Sequence, residues 1–293
     1  MRRIVRSIRL TLLLALACAL PAVVRAQEQL SPMELIRKAV ENDNANDKKA
    51  HEYMFVERVE TKKKQGNGFK TEVETREVFF LYGDQVKRLI AKDDKPLSEK
   101  DAKKEEERIA KIIEKHKNES ESDRRKHEEK TQKDREEERK FLDEVAQAYD
   151  FKLEEAQNVG GRDAWVISGE PRRDFHPQSK EARILPKIRF KAWIDKEETE
   201  WVRVEAEVID NITFGLFLAK LDKGAHFTLE QARINDEIWL PQHVAVAADA
   251  RILFKHIDIM SDITYRDYRK FRTEAKITGV VDSQTPPPPP PQP

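Results

Sequence analysis

The sequence predicts a mainly β fold with helices (α+β), organised around one antiparallel sheet. Three observations lead there. Short segments alternate apolar and polar side chains, as strands with one wet face do: Phe69, Thr71, Val73 and Thr75 stand against Lys70, Glu72, Glu74 and Arg76, and Val202, Val204, Ala206 and Val208 against Arg203, Glu205 and Glu207. Residues that tolerate positive φ punctuate those segments, at Gln65-Gly66-Asn67-Gly68, Gly83-Asp84, Gly160-Gly161 and Asn235-Asp236-Glu237. One stretch breaks the alternation. Residues 211–221 carry Ile212, Phe214, Leu216, Phe217, Leu218 and Leu221 around Gly215, so both sides need apolar neighbours, from a sheet wrapped about them or from a lipid-like ligand.

The first 26 residues read as an export signal. Arg2, Arg3, Arg6 and Arg9 form a basic region, residues 10–20 a short apolar one, and Val24-Arg25-Ala26 suits a peptidase cutting before Gln27. The apolar run is shorter than the ~20 residues of a membrane span, and no later run is longer, so no span is expected in the mature chain. Cys18 is the single cysteine. Ala15-Leu16-Ala17-Cys18 matches a lipid-attachment site poorly, and removal of the signal leaves a chain with neither disulfides nor thiolate metal ligands. Residues 27–282 are expected to form one β-rich domain. Residues 283–293 contain six consecutive prolines and are expected to form an extended tail that joins neither sheet nor helix.

The elements follow in order. Ser31 as cap, Pro32 in the first helical position and Glu34 closing a capping box start a helix with Leu35, Ile36, Ala39 and Val40 on one stripe. Residues 42–46, rich in asparagine, are expected to end it. Strands beginning at Tyr53, Phe69 and Val86 form a meander. From 98 to 140, 30 of 43 residues are charged, fifteen of each sign. Glu107 with Lys111, Glu121 with Arg125, Glu129 with Lys133 and Glu136 with Lys140 have the favourable i,i+4 order, worth ~0.2–0.5 kcal/mol each. This insertion is expected to be a solvated helical excursion broken near 118–122, or an arm for an envelope protein. Phe141, Leu142, Val145, Ala148 and Tyr149 bring it back to the fold. Strands are then expected at 151–155, 165–168, 188–194 and 201–209, with a long loop over 171–186, and three more at 225–234, 242–254 and 257–265.

Chemistry is hard to find in this chain. Acidic and basic residues number 55 each, which argues against a nucleic-acid partner. None of the seven histidines lies three or four residues from another, so no zinc site is expected. Ser168 in Val-Ile-Ser-Gly-Glu lacks the preceding glycine of a nucleophile elbow. No catalytic residue, cofactor or metal is expected, and a hydrolase with an unrecognised site is the remaining enzymatic alternative. The informative side chains are apolar. Phe214, Leu216, Phe217 and Leu218, joined by Trp201, Phe227 and Trp239, are the candidate lining of an apolar, lipid-accepting cavity.

Certain short motifs carry a resemblance. Gly-Arg-x-Ala-Trp enters a strand at 161–165, Ile194-Asp195-Lys196 precedes Trp201-Val202-Arg203, and Ile238-Trp239-Leu240-Pro241 opens a long strand. With the order of elements, they make the chain similar to the periplasmic lipoprotein-carrier (LolA-like) superfamily over 31–97 and 141–271. The resemblance implies an open, incomplete β-barrel covered by helices over an apolar cavity. It also implies a periplasmic, non-enzymatic role in carrying a lipid or an acylated lipoprotein, or in scaffolding or stress sensing at the envelope. The charged insertion is longer than that family's usual crossing, and the proline tail is foreign to it.

Overall fold

The computed structural model describes residues 30–270, apart from 67, 82–83, 119, 215–218 and 254. The expected signal and proline tail therefore lie outside the described residues. The chain opens with helix α1 (Pro32–Ala50), followed by β1 (Tyr53–Gln65), β2 (Gly68–Leu81), β3 (Asp84–Lys92) and the two-residue β4 (Lys95–Pro96). Helices α2 (Glu99–Lys117) and α3 (Glu121–Ala148) lead to β5 (Tyr149–Val159) and β6 (Arg162–Pro171). A 3-10 helix (Glu181–Lys187) precedes β7 (Ile188–Asp195) and β8 (Trp201–Val208), and β9 (Ile212–Phe214) and β10 (Ala219–Leu221) form a small side hairpin. The chain then runs through β11 (His226–Ile234), β12 (Ile238–Ile252) and β13 (Lys255–Lys270).

All strands join one antiparallel sheet in the order β4-β3-β2-β1-β13-β12-β11-β8-β7-β6-β5, with β10 pairing β12 beside that path. Its two ends do not meet, so the sheet is open. Two connections show why these residues turn here. Asp93-Asp94 (φ 49° and 55°) and Gly160-Gly161 (φ 60° and 87°) both hold two consecutive residues at positive φ, the backbone whose twist matches that of the flanking strands.

Helix α1 lies across one face of the sheet. Leu35, Ile36 and Ala39 are buried against Ile167 and Ile194, with Phe151, Leu153, Trp165, Phe190 and Trp201 around them. Burial of Leu35 and Ile36 contributes roughly 1.5–3 kcal/mol each. The helix does not stop at 42–46 as its asparagines suggested. It continues to Ala50 because those asparagines find tertiary partners: Asn42 Nδ2 donates to the carbonyls of Glu198 (2.9 Å) and Thr199 (3.0 Å), and Asn46 Nδ2 to Glu200 (2.6 Å). Such bonds outweigh a propensity difference of well under ~1 kcal/mol per residue.

The insertion breaks between Lys117 and Glu121, near the expected position, but its first helix is not merely solvated. Glu105 accepts the Leu89 N–H (2.8 Å), Arg108 donates to the Lys87 carbonyl, and Arg108 and Glu105 pair with each other (2.6 Å). The outer backbone of β3 is thus capped by side chains, a way of blunting a sheet edge. The Arg108 guanidinium, joined by the Leu89 N–H, holds the Glu105 carboxyl below the usual range. At the other end of the insertion Phe141, Val145 and Ala148 re-enter the core beside Tyr149, Ala182 and Leu185. The latter two belong to the 3-10 helix, so the expected loop over 171–186 is ordered at its end by their burial.

Candidate apolar surface and its polar clamp

Directly opposed residues of antiparallel strands point to the same face. Two continuous rows can therefore be traced on the face that carries α1. The first runs Leu153, Ile167, Ala192, Val204, Leu229, Val244, Ile263 and Val59, from β5 to β1, before meeting Glu74 of β2. The second runs Phe151, Gly169, Phe190, Ala206, Phe227, Val246, Ser261 and Thr61 before Glu72. Helix α1 buries the β5–β7 part of this stripe. From β8 to β1 it is only half-buried, and Phe227 is 38% exposed. Four strand spacings give that half-open stretch a width of about 19 Å.

The stripe is bounded on three sides. Under α1, the Phe190 ring lies so close to Gly169 that a Cβ there would collide with it, which is why a glycine occupies this row position. Beyond the second row, Val208, Ile212 and Ala225 form a buried cluster with Ile184, Ile188, Leu221 and Ala248. Toward β2 the rows end in charge: Glu57 is buried and pairs with Arg76 (3.1 Å) and Lys87 (2.7 Å).

The β7–β8 hairpin, which receives the C-terminal half of α1 through Asn42 and Asn46, is held by a second, polar arrangement. Asp195, 1% exposed, accepts Arg162 Nε at 2.6 Å on one oxygen. Its other oxygen takes Arg162 Nη2 (3.0 Å) and the N–H groups of Glu197 (3.0 Å) and Glu198 (2.7 Å). Burial alone would raise this carboxyl; the guanidinium and the two N–H groups outweigh it and hold Asp195 below the usual range. The Arg162 guanidinium also lies 5.2 Å from the centre of the Trp239 ring, whose Nε1 donates to Glu198 (2.9 Å), and Arg233 pairs with Glu198 (2.8 Å). Beside this clamp sits Glu200, buried, with one oxygen on Asn46 and the other without a hydrogen-bond partner. Burial pushes its carboxyl up to about 7; the Asn46 bond opposes this, and the charges of Asp43, Glu198 and Asp195 add to it.

The residues singled out from the sequence fall in different places. Phe227 lies in the stripe. Trp201 packs beneath α1 with Ile194, because an irregularity between Trp193 and Ile194 turns it to that face. Trp239 is away from the stripe, buried with Ala164, Val166, Trp193 and Val202. Leu216, Phe217 and Leu218 lie outside the described residues, as does the Phe214 side chain; the flanking Ile212 and Leu221 stand in the cluster that closes the stripe. Val204, Leu229, Val244, Val246 and Ile263 were missed, although each sits at an apolar position of an alternating strand. Arg162, Asp195 and Trp239, which lay in the motifs carrying the resemblance, converge in the clamp rather than in a cavity.

Among the described residues one mixed cluster, Asp249, His256 and Asp258, brings potential metal ligands within 4.8 Å of one another. Lys64 pairs with Asp258 at 3.2 Å and already supplies the positive charge there.

No protein-family model matches the sequence. No curated protein matches it either. Solved structures do resemble it at low identity. A putative outer membrane lipoprotein-sorting protein domain from Vibrio parahaemolyticus is 10% identical, covering 82% of this chain and 95% of its own, with a TM-score of 0.35. A DUF1329 family protein from Desulfovibrio piger is 13% identical over 80% and 91% of the two chains, at a TM-score of 0.31. A LolA superfamily protein from Nitrosomonas europaea is 9% identical over 83% and 94%, at 0.29. The chain is thus similar to lipoprotein-sorting and LolA-superfamily structures over about four-fifths of its length, at an identity that assigns no function.

Proposed function

We propose that this is an exported, non-enzymatic envelope protein that binds a lipid, or the acyl chain of a lipoprotein, on the half-open apolar stripe. One observation carries the reading: five neighbouring strands present Val204, Leu229, Val244, Ile263 and Val59 in register, and none of these side chains is fully buried. A row of this kind in water stabilises nothing by itself, whereas covering it with hydrocarbon yields about 25 cal/mol per Å². The expected signal at 1–26 supports export, and among the described residues no helix is long and apolar enough to cross a membrane. Protein purified from the periplasm should yield lipid on solvent extraction and should take up a fluorescent fatty acid; Leu229→Glu should abolish uptake. Clean extracts together with no uptake by the unaltered protein would refute the reading.

A second reading, an envelope scaffold or stress-sensing protein, uses the charged insertion. It is favoured by the way residues 98–148 are attached: Glu105 and Arg108 hold one end and Phe141, Val145 and Ala148 the other. Replacing residues 109–138 by a short linker preserves both attachments. A carrier keeps its lipid after that change, and a scaffold loses its partner.

A further inference from the structure

Glu200 is placed where a permanent charge is badly supported. It stands just before β8, between the hairpin and α1, and among the described residues of the helix the Asn46 amide bonds to it. Its second oxygen is buried without a hydrogen-bond partner. Among the described residues, the charges that act on it are acidic: Asp43 from α1, and Glu198 and Asp195 from its own hairpin. The cations of β6 and β11 are committed elsewhere, Arg162 to Asp195 and Glu197, and Arg233 to Glu198 and Asp236. Strand β12 contributes Trp239, which is uncharged and donates to Glu198. From β11, Gln231 donates to Asp43 (3.3 Å).

We propose that Glu200 is a proton-operated latch for α1: with its carboxyl neutral the C-terminal half of the helix is held on the β7–β8 hairpin, and loss of the proton releases it and widens access to the apolar stripe. The gating half of this inference rests on the stripe being the ligand surface. The physical reason is local. A neutral carboxyl leaves one proton and one carbonyl oxygen to accommodate beside Asn46, whereas a carboxylate adds a buried negative charge to those of Asp43, Asp195 and Glu198. The direction follows from linkage. A carboxyl raised in the docked state stabilises docking fully below its ordinary value of 4.5, and that stabilisation is lost as pH rises through about 7.

The test is hydrogen–deuterium exchange of the amides at 42–50 in the purified protein, corrected for the intrinsic pH dependence of exchange. Protection should fall about thirtyfold between pH 5.5 and 8.5, while amides of β13 stay constant. Glu200→Gln, which keeps the shape and removes the titration, should flatten that dependence. Asp43→Asn, which leaves Glu200 in place, should move the transition to lower pH. An unaltered protein with pH-independent protection overturns the latch, as does a Glu200→Gln variant that retains the slope. Uptake of a fluorescent fatty acid, measured over the same range, separates the two halves. Uptake that rises as the helix opens supports gating, and constant uptake overturns it. Opening with no uptake at any pH leaves the latch standing and removes the ligand reading.

Discussion

Replacing Asp195 offers a sharp test of how this fold is held together. Its carboxylate carries four hydrogen bonds: Arg162 Nε on one oxygen, and Arg162 Nη2 with the N–H groups of Glu197 and Glu198 on the other. Asp195→Ala removes all four. Two backbone N–H groups lose their acceptor at roughly 1–3 kcal/mol each where water cannot replace it. Arg162 is partly solvated and keeps Glu197 at 3.0 Å, which limits its own loss. A total of about 3–5 kcal/mol is expected, in line with breaking one side of a buried ion pair. For a domain of this size that lowers Tm by roughly 6–20 °C. Asp195→Asn retains an acceptor for both N–H groups but loses the charge pairing and puts an amide donor where Arg162 Nε now donates, so it should cost about 1–3 kcal/mol. Denaturation in urea followed by circular dichroism orders the variants.

The pH dependence has a definite sign. A carboxyl held below its ordinary value of 3.8 contributes stability above that value and loses it as pH falls through the lowered one. The unaltered protein should therefore lose more stability on acidification below about pH 4 than Asp195→Ala does. Alanine and asparagine variants of equal stability, or an alanine variant within 1 kcal/mol of the unaltered protein, would refute the assignment of the clamp.

Three further outcomes follow from individual contacts. Gly169→Ala forces the Phe190 ring out of its place between Tyr149 and Phe151 and should cost about 1–3 kcal/mol in urea denaturation, the usual penalty for overpacking. Asn42→Ala removes the donor shared by the Glu198 and Thr199 carbonyls and should cost about 1–2 kcal/mol, with faster amide exchange confined to the end of α1. Glu105→Ala uncaps the Leu89 N–H; it should change Tm little but increase concentration-dependent association, measured by light scattering, because an open sheet edge templates pairing.

Much of the architecture can be read along the chain because a strand's side-chain period is local. The alternation at 201–209 and at 69–76, with glycines and asparagines between strands, was enough to place the meanders and the open antiparallel class. The helix at Pro32 was equally legible, since its start rests on neighbours within four residues. Its end was not. Asn42 and Asn46 look like helix terminators until the β7–β8 hairpin, more than 150 residues later, supplies their partners.

The candidate site shows the same division. Alternation marks Val204, Leu229, Val244 and Ile263 as apolar-facing, but not that they stand in one row. Register across five strands does that, and register is set by pairings between distant segments. Nor does periodicity say which face receives a helix. The irregularity at Trp193 and Ile194 turns Trp201 toward α1, so tryptophans that look equivalent in sequence end in different environments. Local patterning specifies the strands, their wet and dry sides, and a charged insertion between two meanders. Tertiary contacts add that α1 covers half of one dry face, and that the hairpin tied by Arg162, Asp195 and Glu198 meets the end of the helix through Asn42, Asn46 and Glu200. The reason is physical: secondary structure answers to contacts a few residues apart, whereas burial of a face and pairing of a charge depend on which distant strand arrives beside it.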